Sequence, residues 1–244
     1  MKQYGLIGKN ISYSFSEGYF AEKFKKEGIE DCGYKTYDLE DISKFKNLLE
    51  NTDNLKGVNV TIPYKEDVLE FLDSRDEVSK EIGAVNTIKI EGSKLIGYNT
   101  DEFGFRTSIK PFLEIQHERA LILGTGGASK AIAYVLSKLG INYFFVSRNP
   151  KNDNEVAYSD LTVDAISNFK LIINCTPLGT YPDIEKCPDI PYSGIGEEHL
   201  LYDLVYNPEK TEFLKRGEDK GASILNGLSM LQHQAEEAWR IWNK

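Results

Sequence analysis

The chain has 244 residues, of which 41% are hydrophobic, and this is enough to build the cores of one large domain or two ordinary ones. Its formal charge of -9 disfavours nucleic acid and anionic membrane surfaces as partners and favours a small molecule. No apolar run approaches the roughly 18 residues that span a bilayer, and residues 1–8 lack the features of a signal peptide, so we expect a cytoplasmic protein. The three cysteines, Cys32, Cys175 and Cys187, have no C-x-x-C spacing, which argues against a disulfide framework or a zinc site.

The first half of the chain alternates strand-like and helical segments. Residues 34–39 and 57–61 have the composition of strands, and residues 42–49 place apolar side chains at helical spacing. This alternation predicts an α/β fold with parallel strands. Residues 84–98 contain two strand-like runs around Gly92 and predict a hairpin that closes the first sheet.

The second half begins with a predicted helix over residues 101–113 and then repeats strands and helices. The predicted segments are residues 120–123, 129–139, 143–147, 171–174 and 200–204. This order is typical of a doubly wound sheet, and a terminal helix follows Gly227. Residues 180–196 lack periodicity and predict a surface loop. We expect two α/β domains with a cleft between them: residues 1–101, completed by the C-terminal helix 229–244, and residues 102–228.

A glycine-rich turn connects the first strand and helix of the second domain. Residues 121–123 lead directly into Gly124-Thr125-Gly126-Gly127-Ala128, and a helical pattern follows. This arrangement is typical of a dinucleotide turn, in which backbone N–H groups and the helix N-terminus face a pyrophosphate. Ser129 stands where the usual third glycine would be, so a purely structural turn is the alternative.

The end of the next strand bears on the choice of cofactor. An acidic residue there would hold the ribose hydroxyls of NAD, but the chain has Ser147-Arg148-Asn149. A guanidinium can pair with a 2′-phosphate and stack on adenine. Arg148 therefore favours NADP over NAD, the alternative being a solvated surface arginine.

Polar side chains follow several strands of the first domain. Residues 59–65, Asn-Val-Thr-Ile-Pro-Tyr-Lys, end a strand, and we expect a helix to begin after Pro63. Lys65 would then lie at the carboxyl edge of the sheet, where open α/β sheets bind ligands. Asn86 and Asp101 lie at two further strand ends and offer an amide and a carboxylate there. Taken singly, Lys65 could be a surface lysine and Asp101 a helix N-cap.

Taken together, these segments resemble the shikimate dehydrogenase family over nearly the whole chain. The motifs that carry the resemblance occur in the family's order at residues 14–16, 59–65, 84–87, 99–101, 124–128, 174–179, 202–208 and 227–235. The resemblance implies an N-terminal substrate-binding domain, a Rossmann-type NADP-binding domain, and reversible NADP-dependent reduction of 3-dehydroshikimate to shikimate. His117, His199 and His233 form no ligand cluster, so we expect no metal, and a homodimer is one alternative for the oligomeric state.

The resemblance also implies residue roles. Lys65 and Asp101 would form the catalytic pair. The substrate would be bound by Ser14, Ser16, Thr61, Asn86 and Gln234, with Tyr206 near the place where substrate meets nicotinamide. The cofactor-binding residues would be Gly124, Gly126, Gly127, Ala128, Ser147, Arg148, Asn149, Thr176 and Gly227. The chemistry agrees, because reducing a ketone needs a proton and positive charge at the developing alkoxide, and a lysine beside a carboxylate supplies both.

Four positions depart from the family pattern. Tyr13 and Glu17 stand where a histidine and a proline are common, Glu102 where glycine is usual, and Pro150 where threonine is customary. We expect Glu102 to point to solvent at a helix start. Three alternatives remain at this point: a quinate or mixed quinate/shikimate dehydrogenase, a metabolite sensor without turnover, and an unrelated two-domain NADP enzyme.

Overall fold

The chain folds into two compact α/β units. A computed structural model describes residues 1–11 and 14–244. The first unit comprises Met1–Thr100 and Ala235–Lys244, and the second comprises Asp101–Gln234. Each contains a six-stranded sheet. The predicted fold class is therefore confirmed, and the division of the chain places only the last part of the terminal helix with the first unit.

The first sheet has the strand order β2-β1-β3-β5-β6-β4. The elements of this unit are β1 (Lys2–Gly8), α1 (Phe15–Glu27), β2 (Cys32–Asp38), α2 (Lys44–Asn51), β3 (Leu55–Val60), β4 (Ser74–Arg75), α3 (Glu77–Ile82), β5 (Thr87–Glu91) and β6 (Lys94–Tyr98). Strand β1 is parallel to β2 and β3, whereas β5 is antiparallel to β3 and β6. The sheet is thus mixed rather than wholly parallel. The predicted hairpin is present as β5 and β6, but it does not close the sheet, because the short strand β4 pairs outside β6.

Both faces of the first sheet are covered. One face packs side chains of β1, β3 and β5 against Phe45 of α2 and the 3₁₀ helix Asp67–Phe71. The other face packs Tyr4 and Phe20 against the last part of helix α8 (Leu228–Trp242). Here the rings of Tyr4 and Trp242 stack with centroids 4.9 Å apart. The C-terminal residues 235–244 are therefore part of the first core.

The second sheet is wholly parallel, with the order β12-β11-β10-β7-β8-β9. Its elements, together with most of α4 (Thr100–Ile109), are β7 (Arg119–Leu123), α5 (Gly127–Lys138), β8 (Asn142–Ser147), β9 (Glu155–Ala157), α6 (Val163–Asn168), β10 (Leu171–Asn174), β11 (Leu200–Asp203), α7 (Glu212–Glu218) and β12 (Ser223–Leu225). Strands β7 to β9 extend one way from the centre and β10 to β12 the other. This is the doubly wound order, whose direction reverses between β7 and β10.

The predicted surface loop over residues 180–196 is only partly at the surface. It contains a single short 3₁₀ helix, Tyr192–Gly194, and Tyr181 is well exposed. Ile190 and Ile195, however, are buried in the core beside β10 and β11. Their burial contradicts the simple surface prediction: a segment without periodicity can still anchor apolar side chains in a core.

The helices and the cysteines bear on where in the cell the protein is expected. Within the described ranges, no helix is both long enough and apolar enough to cross a membrane. Cys32, Cys175 and Cys187 are free thiols.

Candidate functional site

The segment that carries Lys65 turns sharply at the end of β3. Residues 62–66 form turns and lead into the 3₁₀ helix Asp67–Phe71, so the α-helix predicted after Pro63 is not formed. The Lys65 carbonyl accepts a hydrogen bond from the Val85 N–H at 2.8 Å. Lys65 is therefore tied to the segment before β5 and is half-buried there.

A buried polar cluster follows at the ends of β5 and β6. The Thr100 N–H donates to Asn86 Oδ1 at 2.7 Å, and Asn86 Nδ2 donates to Thr100 Oγ1 at 3.1 Å. Asn99 Nδ2 donates to the Ala84 carbonyl at 2.9 Å. Asp101 comes next as the second residue of α4 and is 6% exposed. It is therefore not the N-cap of that helix, which was the structural alternative for this carboxylate.

The serine motif begins helix α1. Ser14 is the N-cap, and its Oγ accepts a hydrogen bond from the Ser16 N–H at 3.2 Å. Ser16 is 9% exposed, and its side chain lies beside the Tyr34 phenol. Tyr34 donates to Asn59 Oδ1 at 2.8 Å. Tyr13 lies outside the described residues, so its place in this motif stays a sequence observation.

Other predicted substrate residues occupy ends of elements. Thr61 is half-buried directly after β3, and its N–H donates to the Ile7 carbonyl at 2.9 Å. Tyr206 follows β11 and is half-buried. Gln234 is buried on α8, where its Nε2 donates to the Leu231 carbonyl at 3.0 Å. Lys65 and Thr61 belong to the first unit, whereas Tyr206 and Gln234 belong to the second.

The glycine-rich turn lies where the order of the second sheet reverses. Gly124 has a φ of 104°, which side-chain-bearing residues rarely adopt, and a Cβ there would lie 3.2 Å from Thr176 Cγ2. A Cβ on Gly126 would meet no atom within 4 Å, so the space before α5 is open. Helix α5 begins at Gly127 with Gly126 as N-cap. An open glycine turn at the start of a 12-residue helix fits the pyrophosphate of a dinucleotide.

Ser129, at the position of the usual third glycine, is 1% exposed and donates its Oγ hydrogen to the Gly126 carbonyl at 2.6 Å. This bond satisfies the hydroxyl within the turn itself. The substitution for glycine is therefore accommodated locally.

A second network of hydrogen bonds connects Thr176 to Asn174 and Asp203. Asn174 Oδ1 accepts from the Thr176 N–H at 3.0 Å and from Thr176 Oγ1 at 2.6 Å, and Asn174 Nδ2 donates to Asp203 Oδ1 at 2.9 Å. Asp203 also accepts from the Val205 N–H and from Thr211 Oγ1. Burial raises the pKa of Asp203 to about 6, although these three partners lower it. Sequence reasoning assigned no part to Asp203, whose only signal was an acid at the end of an apolar strand.

The predicted ribose segment follows β8. Ser147 is the last residue of the strand, and its Oγ accepts from the Asn149 N–H at 3.2 Å. Arg148 and Asn149 are exposed. An exposed guanidinium at this strand end, with no acid beside it in residues 147–149, fits a 2′-phosphate better than a bare ribose.

Gly227 is required for packing before α8. A Cβ there would lie 2.1 Å from the Leu204 carbonyl oxygen, and the Gly227 N–H donates to the Val205 carbonyl at 3.1 Å. The segment after β11 and the start of α8 are thereby held in backbone contact.

Glu102 does not point to solvent as expected. Its side chain is 14% exposed, and Arg106 Nε donates to Glu102 Oε1 at 2.6 Å one helical turn later. The expectation was wrong because Arg106 holds the carboxylate against the helix.

Across residues 1–11 and 14–244, no group of three or more His, Cys, Asp or Glu side chains could hold a metal ion.

These features define a class of protein. A doubly wound parallel sheet with an open glycine turn at its reversal point, joined to a separate α/β unit rich in buried amide and hydroxyl groups, is the architecture of a two-unit dinucleotide-binding protein. The chain belongs, within this class, to the shikimate dehydrogenase family.

A family model, one relative and two solved structures support this membership. Residues 6–88 match the family described as the shikimate dehydrogenase substrate binding domain. The chain is 39% identical to the shikimate dehydrogenase (NADP(+)) of Caldicellulosiruptor saccharolyticus, over 99% of this chain and 92% of the relative. The crystal structure of shikimate dehydrogenase 1 from Peptoclostridium difficile matches with a TM-score of 0.87 and 37% identity, over 100% of this chain and 92% of that one. The Thermus thermophilus shikimate 5-dehydrogenase in complex with NADP(H) and shikimate matches with a TM-score of 0.88 and 30% identity, over 99% and 93%.

Proposed function

We propose that the chain is an NADP-dependent shikimate dehydrogenase, which reversibly reduces 3-dehydroshikimate to shikimate in the biosynthesis of chorismate and aromatic amino acids. The observation that carries the proposal is its identity of 39% to a shikimate dehydrogenase (NADP(+)) across 99% of the chain. The motifs for both substrate and cofactor are retained within that span. A metabolite sensor would need no proton donor, yet both Lys65 and Asp101 are present.

The catalytic roles follow from residue chemistry. Bound NADPH would be the source of the hydride that the ring carbon receives. The Lys65 ammonium stabilises the oxygen that gains negative charge and provides its proton. Asp101, buried at the start of α4, orients the ammonium and accepts a hydrogen bond from a neighbouring substrate hydroxyl.

Neutral polar groups account for recognition of a polyol. Ser14, Ser16, Thr61, Asn86 and Gln234 bind the hydroxyls and carboxylate of the substrate, and Tyr206 lies toward the nicotinamide. A site built to pair with hydroxyls rejects analogues that lack them, because its polar groups would otherwise stay unpaired. We assign residues 1–101 and the C-terminal helix to substrate binding.

Residues 102–228 bind NADP in this proposal. Gly124, Gly126, Gly127 and Ala128 hold the pyrophosphate, and Arg148, with Ser147 and Asn149, holds the 2′-phosphate. Thr176 and Gly227, which lie on adjoining segments, form the edge of the cofactor site. Arg148→Ala should raise the Kd of NADPH roughly tenfold or more and leave the Kd of NADH nearly unchanged, because a charged hydrogen bond to the phosphate is lost. An unchanged ratio of the two constants would count against the phosphate contact.

We assign the enzyme to the cytoplasm, where thiols such as its three free cysteines stay reduced. We expect a homodimer, which sedimentation velocity of the purified chain would check.

The function is tested by absorbance at the NADPH band, with shikimate or quinate offered together with NADP+ or NAD+. Rapid reduction with shikimate and NADP+ alone is the expected result. Preference for quinate or NAD+ would make the chain a quinate dehydrogenase, and ligand binding without turnover would make it a sensor.

Lys65→Met should lower kcat by about 100-fold or more, because the proton donor is lost, while the Kd of NADPH stays near its wild-type value. Lys56→Met is the matched control: Lys56 is an exposed lysine of β3, and its loss should leave both constants unchanged. Equal loss of turnover and of NADPH binding in Lys65→Met would overturn the role of Lys65.

A further inference from the structure

A line of buried hydrogen bonds leads from Tyr34, which lies beside the proposed substrate residue Ser16, through Asn59 and Thr87 to a second proposed substrate residue, Asn86. We infer that Tyr34, Asn59 and Thr87, to which the proposed function gives no part, are positioning residues that fix the orientation of the Asn86 amide. The inference rests on the proposed function, since it concerns the affinity of the same substrate site. All five residues belong to the first unit.

The line is continuous from Tyr34 onward. The Tyr34 hydroxyl donates to Asn59 Oδ1 at 2.8 Å. Asn59 Nδ2 donates to Thr87 Oγ1 at 3.0 Å, and Thr87 Oγ1 donates to Asn86 Oδ1 at 3.1 Å. The linking residues come from β2, β3 and β5, so the line crosses the sheet near the carboxyl ends of β3 and β6.

Each bond determines the direction of the next. Because the Asn86 backbone carbonyl can only accept, and accepts from Asn59 Nδ2 at 3.4 Å, Asn59 directs its amide hydrogens toward Asn86 and Thr87 and its Oδ1 toward the Tyr34 hydroxyl. The Thr87 oxygen then accepts from Asn59 and has its single hydrogen left to donate. Asn86 Oδ1 at 3.1 Å and Thr100 Oγ1 at 3.2 Å lie within its reach, and the bond to Oδ1 helps to orient the Asn86 amide group.

The result is a defined polarity at Asn86. Its Oδ1 accepts from Thr87 and from the Thr100 N–H, while Nδ2 donates to Thr100 Oγ1. Asn86 therefore offers amide hydrogens, rather than its carbonyl oxygen, to a further polar group nearby. A substrate oxygen is the matching acceptor.

Burial makes the arrangement costly to break. Tyr34 is 8% exposed, Asn59 5%, Thr87 0% and Asn86 3%. A buried polar group that loses its partner pays its full desolvation cost, so the network holds a single arrangement. Burial also raises the pKa of the Tyr34 phenol, which keeps the hydroxyl a donor at neutral pH.

The test measures kcat, the KM for shikimate and the Kd of NADPH for Tyr34→Phe, Thr87→Val and Thr87→Ser. Tyr34→Phe and Thr87→Val should each raise the KM for shikimate about tenfold, while kcat falls less than about threefold and the Kd of NADPH is unchanged. Thr87→Ser keeps the hydroxyl and should restore the KM to within about twofold of wild type. In the double variant Tyr34→Phe/Thr87→Val, the rise should be smaller than the product of the single rises, because both changes break one network.

Tyr202→Phe provides the matched control. Tyr202 is 1% exposed, and its hydroxyl bonds Ser108 Oγ at 2.7 Å in the second unit, so the variant removes the same kind of buried bond elsewhere. It should lower Tm without changing the KM for shikimate. If Tyr34→Phe and Thr87→Val likewise lower Tm and leave KM within about twofold of wild type, the network is structural only and the inference fails. Absence of shikimate turnover by the wild-type chain would instead overturn the proposed function.

Discussion

Glu102 is the residue at which the chain places an additional carboxylate directly beside the proposed catalytic Asp101. The Glu102–Arg106 pair, with an N–O distance of 2.6 Å, offsets that negative charge within α4. We predict that Arg106→Met raises the KM for shikimate about two- to fivefold with little change in kcat, because an uncompensated carboxylate repels an anionic substrate. The measurement is steady-state kinetics at low and high salt, and the effect should shrink as salt screens it.

The control for this prediction is Arg216→Met. Arg216 pairs with Glu212 at 2.8 Å, also four residues apart on a helix and with similar exposure, but in α7. Its loss should leave the KM unchanged. Arg106→Met/Glu102→Gln should return the KM toward wild type; a rise that persists there would show that the charge of Glu102 is not the cause.

At the scale of elements, the attachment of α8 to the first sheet depends on one glycine of β3. A Cβ on Gly57 would lie 2.2 Å from Nε1 of Trp242, whose indole N–H donates to the Ile88 carbonyl at 3.0 Å. The ring is rigid and 6% exposed, so it cannot move aside without losing that bond. We predict that Gly57→Ala destabilises the protein by about 1–3 kcal/mol through overpacking, measured by urea unfolding.

Gly18→Ala is its control. Gly18 lies on the exposed side of α1, and a Cβ there would meet no atom within 4 Å. Because alanine favours helix and restricts the unfolded chain, this variant should stabilise by up to about 1 kcal/mol. Similar effects of the two substitutions would mean that Trp242 does not restrict position 57.

At the scale of the whole molecule, two buried histidines make stability depend on pH. His117 Nδ1 accepts from the Glu114 N–H at 2.9 Å, and His199 Nδ1 accepts from the Gly196 N–H at 3.1 Å. Protonation would place a hydrogen on each acceptor. Burial, the largest cause, lowers the pKa of both rings below their ordinary value. The charge of His199 lowers the pKa of His117 further, and Lys170 does the same to His199, while neighbouring carboxylates and backbone carbonyls act in the opposite sense.

The direction of this pH dependence follows from the difference between the folded and unfolded pKa values. A histidine whose folded pKa lies below its unfolded value of about 6.5 binds more protons when unfolded, so its contribution to stability is complete above pH 6.5 and is lost as the pH falls below it. We predict that these histidines lower the free energy of unfolding as the pH falls below about 6.5, by up to about 1.4 kcal/mol per pH unit for each histidine, while the raised pKa of Asp203, about 6, has the opposite effect and opposes the decline below that pH. Urea unfolding across this range measures it. His117→Asn should flatten the decline and His233→Asn should not; identical slopes in both variants would contradict the assignment.

Local sequence signals were sufficient to predict many of the helices, strands and candidate site residues of this protein. The apolar strand before Gly124, the glycine turn and the helix after it are adjacent in the chain, so residues 119–147 could be predicted with the correct strand, helix and strand. The C-terminal helix was equally clear from its apolar periodicity. Candidate site residues could be proposed because their motifs are short and contiguous.

The tertiary structure decided what depends on distant partners. Whether residues after Pro63 form an α-helix or a 3₁₀ helix, and whether a two-residue strand pairs outside β6, depends on pairing across the sheet. Ile190 and Ile195 became core residues because they pack against the apolar side chains of β10 and β11. Tyr34 and Asn59 are 25 positions apart and Asn59 and Thr87 are 28 apart, so their hydrogen bonds leave no periodic trace in the sequence. Composition and periodicity determine which segments form helices and strands. Only the folded chain determines which buried donors and acceptors meet, because an unpaired buried polar group is too costly to leave.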